Sequence, residues 1–514
     1  MDLFGKKKIA KLEDKIYDLA NSHKSTIAEI KEDQNKLDVE KTKKIYNRAR
    51  MYYDAAKTDR TRADWGTTLS TPYSNLSSDL TKMISRSRHA YDNDPYMHGA
   101  INSIVNNIVC TGIRPKASVT TNNGKPNEIV NKALNEGWKR YNDEYDRRGE
   151  MTFYEIQRLA LRTIGISGGV LTNTVKADNT NDKLIPIAKQ IIEPDRLDKS
   201  RDLSTEDIGE NTPTKQTLHG INVDLYGKAL SYWFQGVEKP IAANRIIHSF
   251  IHERPEQYIG VPWASAALEA VWDVHQLNED TLVKSRALAM YVWWMENSSD
   301  PWSQTGDKDS DDNVKVESLS FLKTPNKPEI IKGDDTITES VKPLSQMILQ
   351  SVFASLGTSY MTVTKDMEGV NFAASRAVII EERRMYKAIQ KWFIKSFCQK
   401  EWEDYVWWMV FTDQVPGVTI DRFLRNRHKY LESWWKAEGW AWVDPSKDSK
   451  AEIELRNQGL RTDRQILAER GLDLEDHYQG VQEQKEMRKK FDIEDQFAGM
   501  QTNLFEQKED DDEK

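Results

Sequence analysis

Cysteine is nearly absent: 514 residues hold two, Cys110 and Cys398. Both fall in apolar helical patterns, which predicts buried free thiols instead of a disulfide framework and fits assembly in a reducing compartment. No apolar run reaches the roughly 18 residues that a membrane span needs, so no membrane partner is expected. The opening MDLFGKKKIA is basic without an apolar stretch behind it, and a signal peptide is not expected. There is no G-x-x-x-x-G-K-[ST], which excludes a P-loop motor. The nine histidines do not cluster, and no metal or other cofactor is implied. Positive charge is not in excess either. Lys and Arg number 73 against 81 Asp and Glu, a net −8, which argues against gripping nucleic acid through a broad basic face.

Two motifs imitate catalytic signatures and fail on context. Gly165-Ile166-Ser167-Gly168-Gly169 fits G-x-S-x-G, but a nucleophile elbow runs from strand to helix. Here the helical QRLALRTI precedes and the strand-like VLTNTVKA follows, so a tight helix-to-strand turn is predicted. His248 and His252 stand four apart, a zinc-binding spacing only on a helix, and the sequence His-Glu-Arg-Pro is a poor helix interior. No catalytic residue is assigned.

What is present is tryptophan, long helices and polarity. The 16 tryptophans include pairs at 293–294, 407–408 and 434–435. Neighbours on a helix point about 100° apart, so such pairs favour core and subunit contacts over sugar or base stacking. A mean hydropathy of −0.72 is polar for this length and suits an elongated subunit or one that buries surface in an oligomer. Residues 263–297 contain no Gly and no Pro and predict a helix of about 50 Å. Its polar and apolar positions are mixed, which suits packing against copies of itself. A second helix is expected over 342–356, with the small residues Ser345, Ser351, Ala354 and Ser355. Residues 360–374 lack a strong helical pattern. From Arg376 another long helix begins, where Glu381 and Glu382 pair more readily with Arg383, Arg384, Lys387, Lys391 and Lys395 than those cations form a free basic strip. Residues 168–252 alternate like a sheet region with a mobile insert over 199–217, and 60–80 read as a loop or arm. The first 45 residues favour a charged helix or disorder over a coiled coil. The acidic end, KEDDDEK, reads as a solvated tail.

The segment 434–473 carries Trp434, Trp440 and Trp442, then Asp444-Pro445, a charged helix stopped at Gly459, a helix capped by Thr462 or Asp463, and a stop at Gly471. This order resembles the C-terminal part of the lambda-family phage portal proteins. The run RSRHAYDNDPYMHGAINSIVNNIVCTGIRP (86–115) resembles the N-terminal signature of that family. FYEIQRLALRTIGISGGVL (153–171), IIEPDRL (191–197), HGINVDLYGKALSYWF (219–234), IIHSFIHERPEQYIGVPWASAAL (246–268) and NFAASRAVIIEERRMYKAIQKWFIKSFCQKEW (371–402) resemble its segments in order.

The resemblance implies an α+β, mainly helical subunit that forms a dodecameric ring, a non-enzymatic conduit through which double-stranded DNA enters during packaging and leaves during ejection. It implies a charged arm over 1–50, a wing over 51–262, a first stem helix over 263–297, a clip over 298–340, a second stem helix over 341–359, a tunnel loop over 360–374, a long helix returning to the wing over 375–430, a helical crown over 431–480 and an acidic tail over 481–514. DNA contacts would come from Thr362, Thr364, Lys365, Asp366, Glu368, Gly369 and Asn371. Trp302, Asp307, Lys308, Asp311, Lys323 and Lys327 of the clip would dock the terminase large subunit and a head-completion adaptor. Trp272, Ala287, Ser351 and Ser355 would form ring contacts. Major capsid and scaffolding proteins are further implied partners, and the virion, after assembly in the host cytoplasm, is the implied location. A carbohydrate-binding or hydrolytic protein using tryptophan-rich surfaces is the competing reading.

Overall fold

The computed structural model describes residues 69–121, 123–177, 183–202, 205–206, 215–289, 335–368, 371–440 and 445–491, with four earlier helical positions, Lys15, Lys31, Glu32 and Lys36. The chain divides into two units, Met1–Ser70 and Thr71–Lys514. In the first unit Glu32 and Lys36 form an i,i+4 pair at 3.0 Å, the spacing that supports a solvated helix. The second unit carries everything that follows.

Helix α1 (Pro72–Asn93) begins where Thr71 accepts from Ser74 N at 3.2 Å and Pro72 occupies the first turn. It buries Leu76, Leu80 and Ile84, a stripe spaced by four. Helix α1 thus takes in 72–80 of the stretch expected as a loop, because the Ser and Thr residues around Leu76 and Leu80 form the solvent face of a helix. Asp94 accepts from Met97 N at 2.7 Å and starts α2 (Pro95–Val109), whose apolar face enters the main core. Strand β1 (Arg114–Ala117) leads to α3 (Glu128–Glu144) and α4 (Phe153–Ser167). A capping box between Thr152 and Glu155 sets the start of α4.

Gly168 ends α4 at φ +86°, and a Cβ there would lie 2.5 Å from Gly260 O. The helix thus turns into β2 (Gly169–Lys176), the helix-to-strand order read from the sequence. Ser167 accepts from Arg88 Nε at 3.2 Å and is buried. Arg88 also forms a two-pronged contact with Asp195, so the Arg-Ser-Arg and Glu-Pro-Asp segments tie α1 to the sheet.

The strands that follow are β3 (Ile187–Ile192), β4 (Thr205–Glu206), β5 (Lys215–Leu218), β6 (Ile221–Val223), β7 (Ala229–Tyr232), β8 (Ile241–Ala242) and β9 (Ile246–Phe250). They make two antiparallel sheets, β3-β2-β9 and the meander β4-β5-β6-β7-β8. His248 lies on β9, not on a helix, and Phe250 stands between its ring and that of His252, at 4.6 and 4.2 Å.

Helix α5 (Leu268–Ala289) packs on α6 (Asp335–Ser355). α5 starts later than the predicted 263 because 262–267 is a turn pinned by Trp263 N donating to Gly165 O at 3.0 Å. α6 starts earlier than predicted and contains Pro343. A short helix α7 (Tyr360–Thr364) precedes α8 (Phe372–Phe393), which passes through a π-helical turn, Ile394–Cys398, into α9 (Gln399–Phe411). The chain continues through α10 (Ile420–Arg425), α11 (Arg427–Tyr430) and β10 (Ser433–Lys436), the antiparallel partner of β1. It ends in α12 (Pro445–Asn457), α13 (Asp463–Glu469) and α14 (Leu474–Lys490).

The main core joins α2, α3, α4, α8 and α9 around an aromatic cluster of Trp138, Tyr141, Tyr145, Phe153, Trp402 and Tyr405. A second core lies between α1 and the meander sheet, with Leu80, Ile84, Leu171 and Ile221. Cys398 is buried as predicted. Cys110 is only half-buried, since it ends α2 at φ +49° where the chain leaves the core. The last three helices bury no residue and are fastened by ion pairs. Lys116 meets Asp473 at 2.7 Å and Asp476 at 3.2 Å, Arg376 meets Asp448 at 2.5 Å, and Lys436 also contacts Asp476.

Candidate functional site

The segment expected as an irregular loop is half helical. Ser359 caps α7 by accepting from Thr362 N at 3.3 Å, and Lys365 ends it in the left-handed region at φ +61°. Glu382 of α8 holds α7 in place. It accepts from Thr358 Oγ1 at 3.3 Å, from Thr362 Oγ1 at 2.8 Å and from Ser359 N. The Thr364 hydroxyl donates to Tyr360 O at 2.8 Å. Both threonine hydroxyls are therefore engaged within the subunit. Lys365 and Glu368 are exposed, and Asp366 is half-buried. Asp366 accepts from Glu368 N at 3.0 Å, and Glu368 meets Lys342 of α6 at 2.9 Å. That hydrogen bond to Glu368 holds the Lys342 ammonium above its ordinary value. Asn371 caps α8 by accepting from Ala373 N at 3.1 Å. Gly369 lies outside the described residues.

One cation and two anions thus project from a turn tied to two helices. Such a surface offers a passing polyanion single, weak contacts, because neutralising several phosphates at once is what makes binding tight. A cleft of about 430 Å³ adjoins it between α6 and the start of α8, lined in part by Gln350, Ala354, Asp366 and Val378.

Helices α5 and α6 present the other candidate surface. Among the described side chains of α5, Val271 and Val274 are buried, and from His275 to Arg286 none is. Leu282 and Val283 are more than half exposed there, as is Met347 on α6. Of the predicted contact residues, Trp272 is 53% exposed. Ser351 and Ser355 are exposed small residues whose hydroxyls return to the backbone of their own helix. The Ala287 side chain lies outside the described residues, as do Trp302, Asp307, Lys308, Asp311, Lys323 and Lys327 of the expected clip.

Two features escaped sequence reasoning. Glu382 anchors α7, yet in sequence it looks like any acidic helix position. Lys189 is fully buried, 2.8 Å from Glu401 and 2.7 Å from Asp404. Burial opposes its charge, but Glu401 and Asp404 together hold the ammonium above its ordinary value. This cluster ties the β3-β2-β9 sheet to α9. Lys189 stands more than 200 positions from the two carboxylates, and no local pattern marks the group. Of the predicted basic strip, Arg384 pairs with Glu381 at 2.9 Å.

Among the described residues no group of three or more His, Cys, Asp or Glu is placed to hold a metal ion, and no helix is long and apolar enough to cross a membrane. Residues 58–390 match the family model described as phage portal protein, lambda family. A curated relative, the "Probable portal protein" of Halomonas phage phiHAP-1, is 26% identical over 436 residues, covering 78% of this chain and 80% of the relative. The fold is distantly similar to a chain in the neck of a native GTA particle computed with C12 symmetry, with TM-score 0.40, 10% identity, and 77% of this chain and 94% of that one covered. A chain in the virion of a native gene transfer agent particle gives TM-score 0.40 and 10% identity over 77% of this chain and 93% of that one.

Proposed function

Because this chain belongs to the lambda family of phage portal proteins, we propose that its copies assemble side by side into a ring of about twelve, a number the family resemblance implies, and conduct double-stranded DNA without enzymatic chemistry. Helices α5 and α6 form the stem. The turn around Lys365, Asp366 and Glu368 faces the channel. Residues 298–340, carrying Trp302, Asp307, Lys308, Asp311, Lys323 and Lys327, dock the packaging motor and later a head-completion adaptor. The ring sits at a capsid vertex, in contact with capsid and scaffolding proteins.

The observation that supports this reading best is the unburied length of α5. A helix that among its described side chains buries nothing beyond Val274 in its own subunit, yet exposes Leu282 and Val283, leaves apolar surface that a neighbouring copy would cover. The net charge of −8 fits a bore that lets DNA slide. The carbohydrate-binding and hydrolytic readings have no support. Electron microscopy of the purified protein tests the proposal. End views should show rings with a central opening, and Leu282→Glu with Val283→Glu should shift the material to single subunits. Rings unaffected by that double variant would remove α5 from the interface.

A further inference from the structure

We infer that Trp272 of one copy seats in the cleft between α6 and α8 of the next copy. This rests on the ring proposed above and adds which two surfaces meet. A cyclic assembly uses two different surfaces of each subunit, one on either side, and they must be complementary. The packing order gives those sides: α1 lies against α5, α5 against α6, and α6 against α7. The α5–α6 pair therefore has α1 on one flank and α7 with the start of α8 on the other.

Each flank carries one half of a fit. On the α1 side Trp272 is 53% exposed at a groove of about 880 Å³ that Arg86, His89 and Asn93 also line. Its ring lies 5.6 Å from that of His275, one turn along the same helix, so the indole stands on the helix surface. On the other flank lies the cleft of about 430 Å³, lined by Gln346, Gln350, Ala354, Tyr360 and Val378. That volume accommodates an indole. The small Ala354, with the exposed Ser351 and Ser355 beside it, leaves its wall low.

Both halves border the same core. Val271 and Val274, next to Trp272, share a core with Leu349, Val352 and Phe353, next to Gln350 and Ala354. A large, rigid, half-exposed aromatic entering a neighbour's pocket is the usual form of an interface anchor.

The test uses the full chain in a Cys110→Ser background. Oxidised Trp272→Cys with Gln350→Cys should give a covalent ladder extending to the whole ring, while each single variant gives none. Independently, Trp272→Ala should raise the concentration for half-assembly about tenfold or more, as loss of an anchor worth over 1.4 kcal/mol does. Ala354→Trp should block assembly with an unchanged circular dichroism spectrum. Rings that form normally in both Trp272→Ala and Ala354→Trp, or rings of the cysteine pair without a ladder, overturn this contact and leave the ring reading standing. Absence of rings from the unaltered chain overturns both.

Discussion

At the scale of single residues, the least expected groups are buried and titratable. Burial holds His248 down to about 3, with the nearby Lys400 and His252 charges adding to the effect. Burial likewise holds His219 at about 4. An unfolded histidine takes up its proton near pH 6.5. Between about pH 6.5 and these lowered values the unfolded chain binds more protons than the folded one. The corresponding stability is therefore complete above pH 6.5 and is lost as pH falls through that window. His248→Leu, which removes a ring nitrogen with no hydrogen-bond partner among the described residues, should flatten the acid side of a thermal-stability profile between pH 6.5 and 4. A profile with unchanged slope would mean that His248 does not carry the effect. Lys189 makes the opposite case, a charge whose partners retain it. Lys189→Met leaves Glu401 buried without its cation and should cost about 3–5 kcal/mol in denaturant titration, with Glu401→Leu added to it restoring most of the loss. A single variant within 1 kcal/mol of the parent would show that the pair is not the tie between sheet and α9.

At the scale of elements, the turn after α7 is where structure meets the proposed passage of DNA. Lys365 adopts a left-handed conformation at an exposed helix end, while Glu382 fixes the helix behind it. A cysteine at 365 should react with a thiol reagent more slowly in DNA-filled particles than in empty ones. Equal rates would place the turn away from the channel. Much of the element structure was legible beforehand. Thr462 caps α13 through a capping box, Gly459 and Gly471 take positive φ at helix ends, and Gly168 makes the helix-to-strand turn. Each of these is a local rule written in neighbouring residues. The delayed start of α5 was not legible, because a long-range bond from Trp263 to Gly165 overrides a helical pattern. The helical half of the 360–374 segment was not legible either. α7 is one turn long, and its anchor lies on α8.

At the scale of the whole molecule, three design features point the same way. The main core is closed by aromatic packing among α2, α3, α4, α8 and α9. The C-terminal helices are joined to it by ion pairs. Among the described residues, α5 beyond Val274 and α6 before Leu349 leave apolar side chains open, Leu282 and Val283 on the one and Met347 on the other. Composition made an oligomer plausible, but the location of its contacts depends on which side of each helix the core takes, and that is a property of packing. The measurement that bears most directly on the proposed ring is the native mass of the purified, unaltered chain. The expected result is a single closed assembly of about twelve 59.5 kDa subunits. A monomer at the same concentration would contradict it.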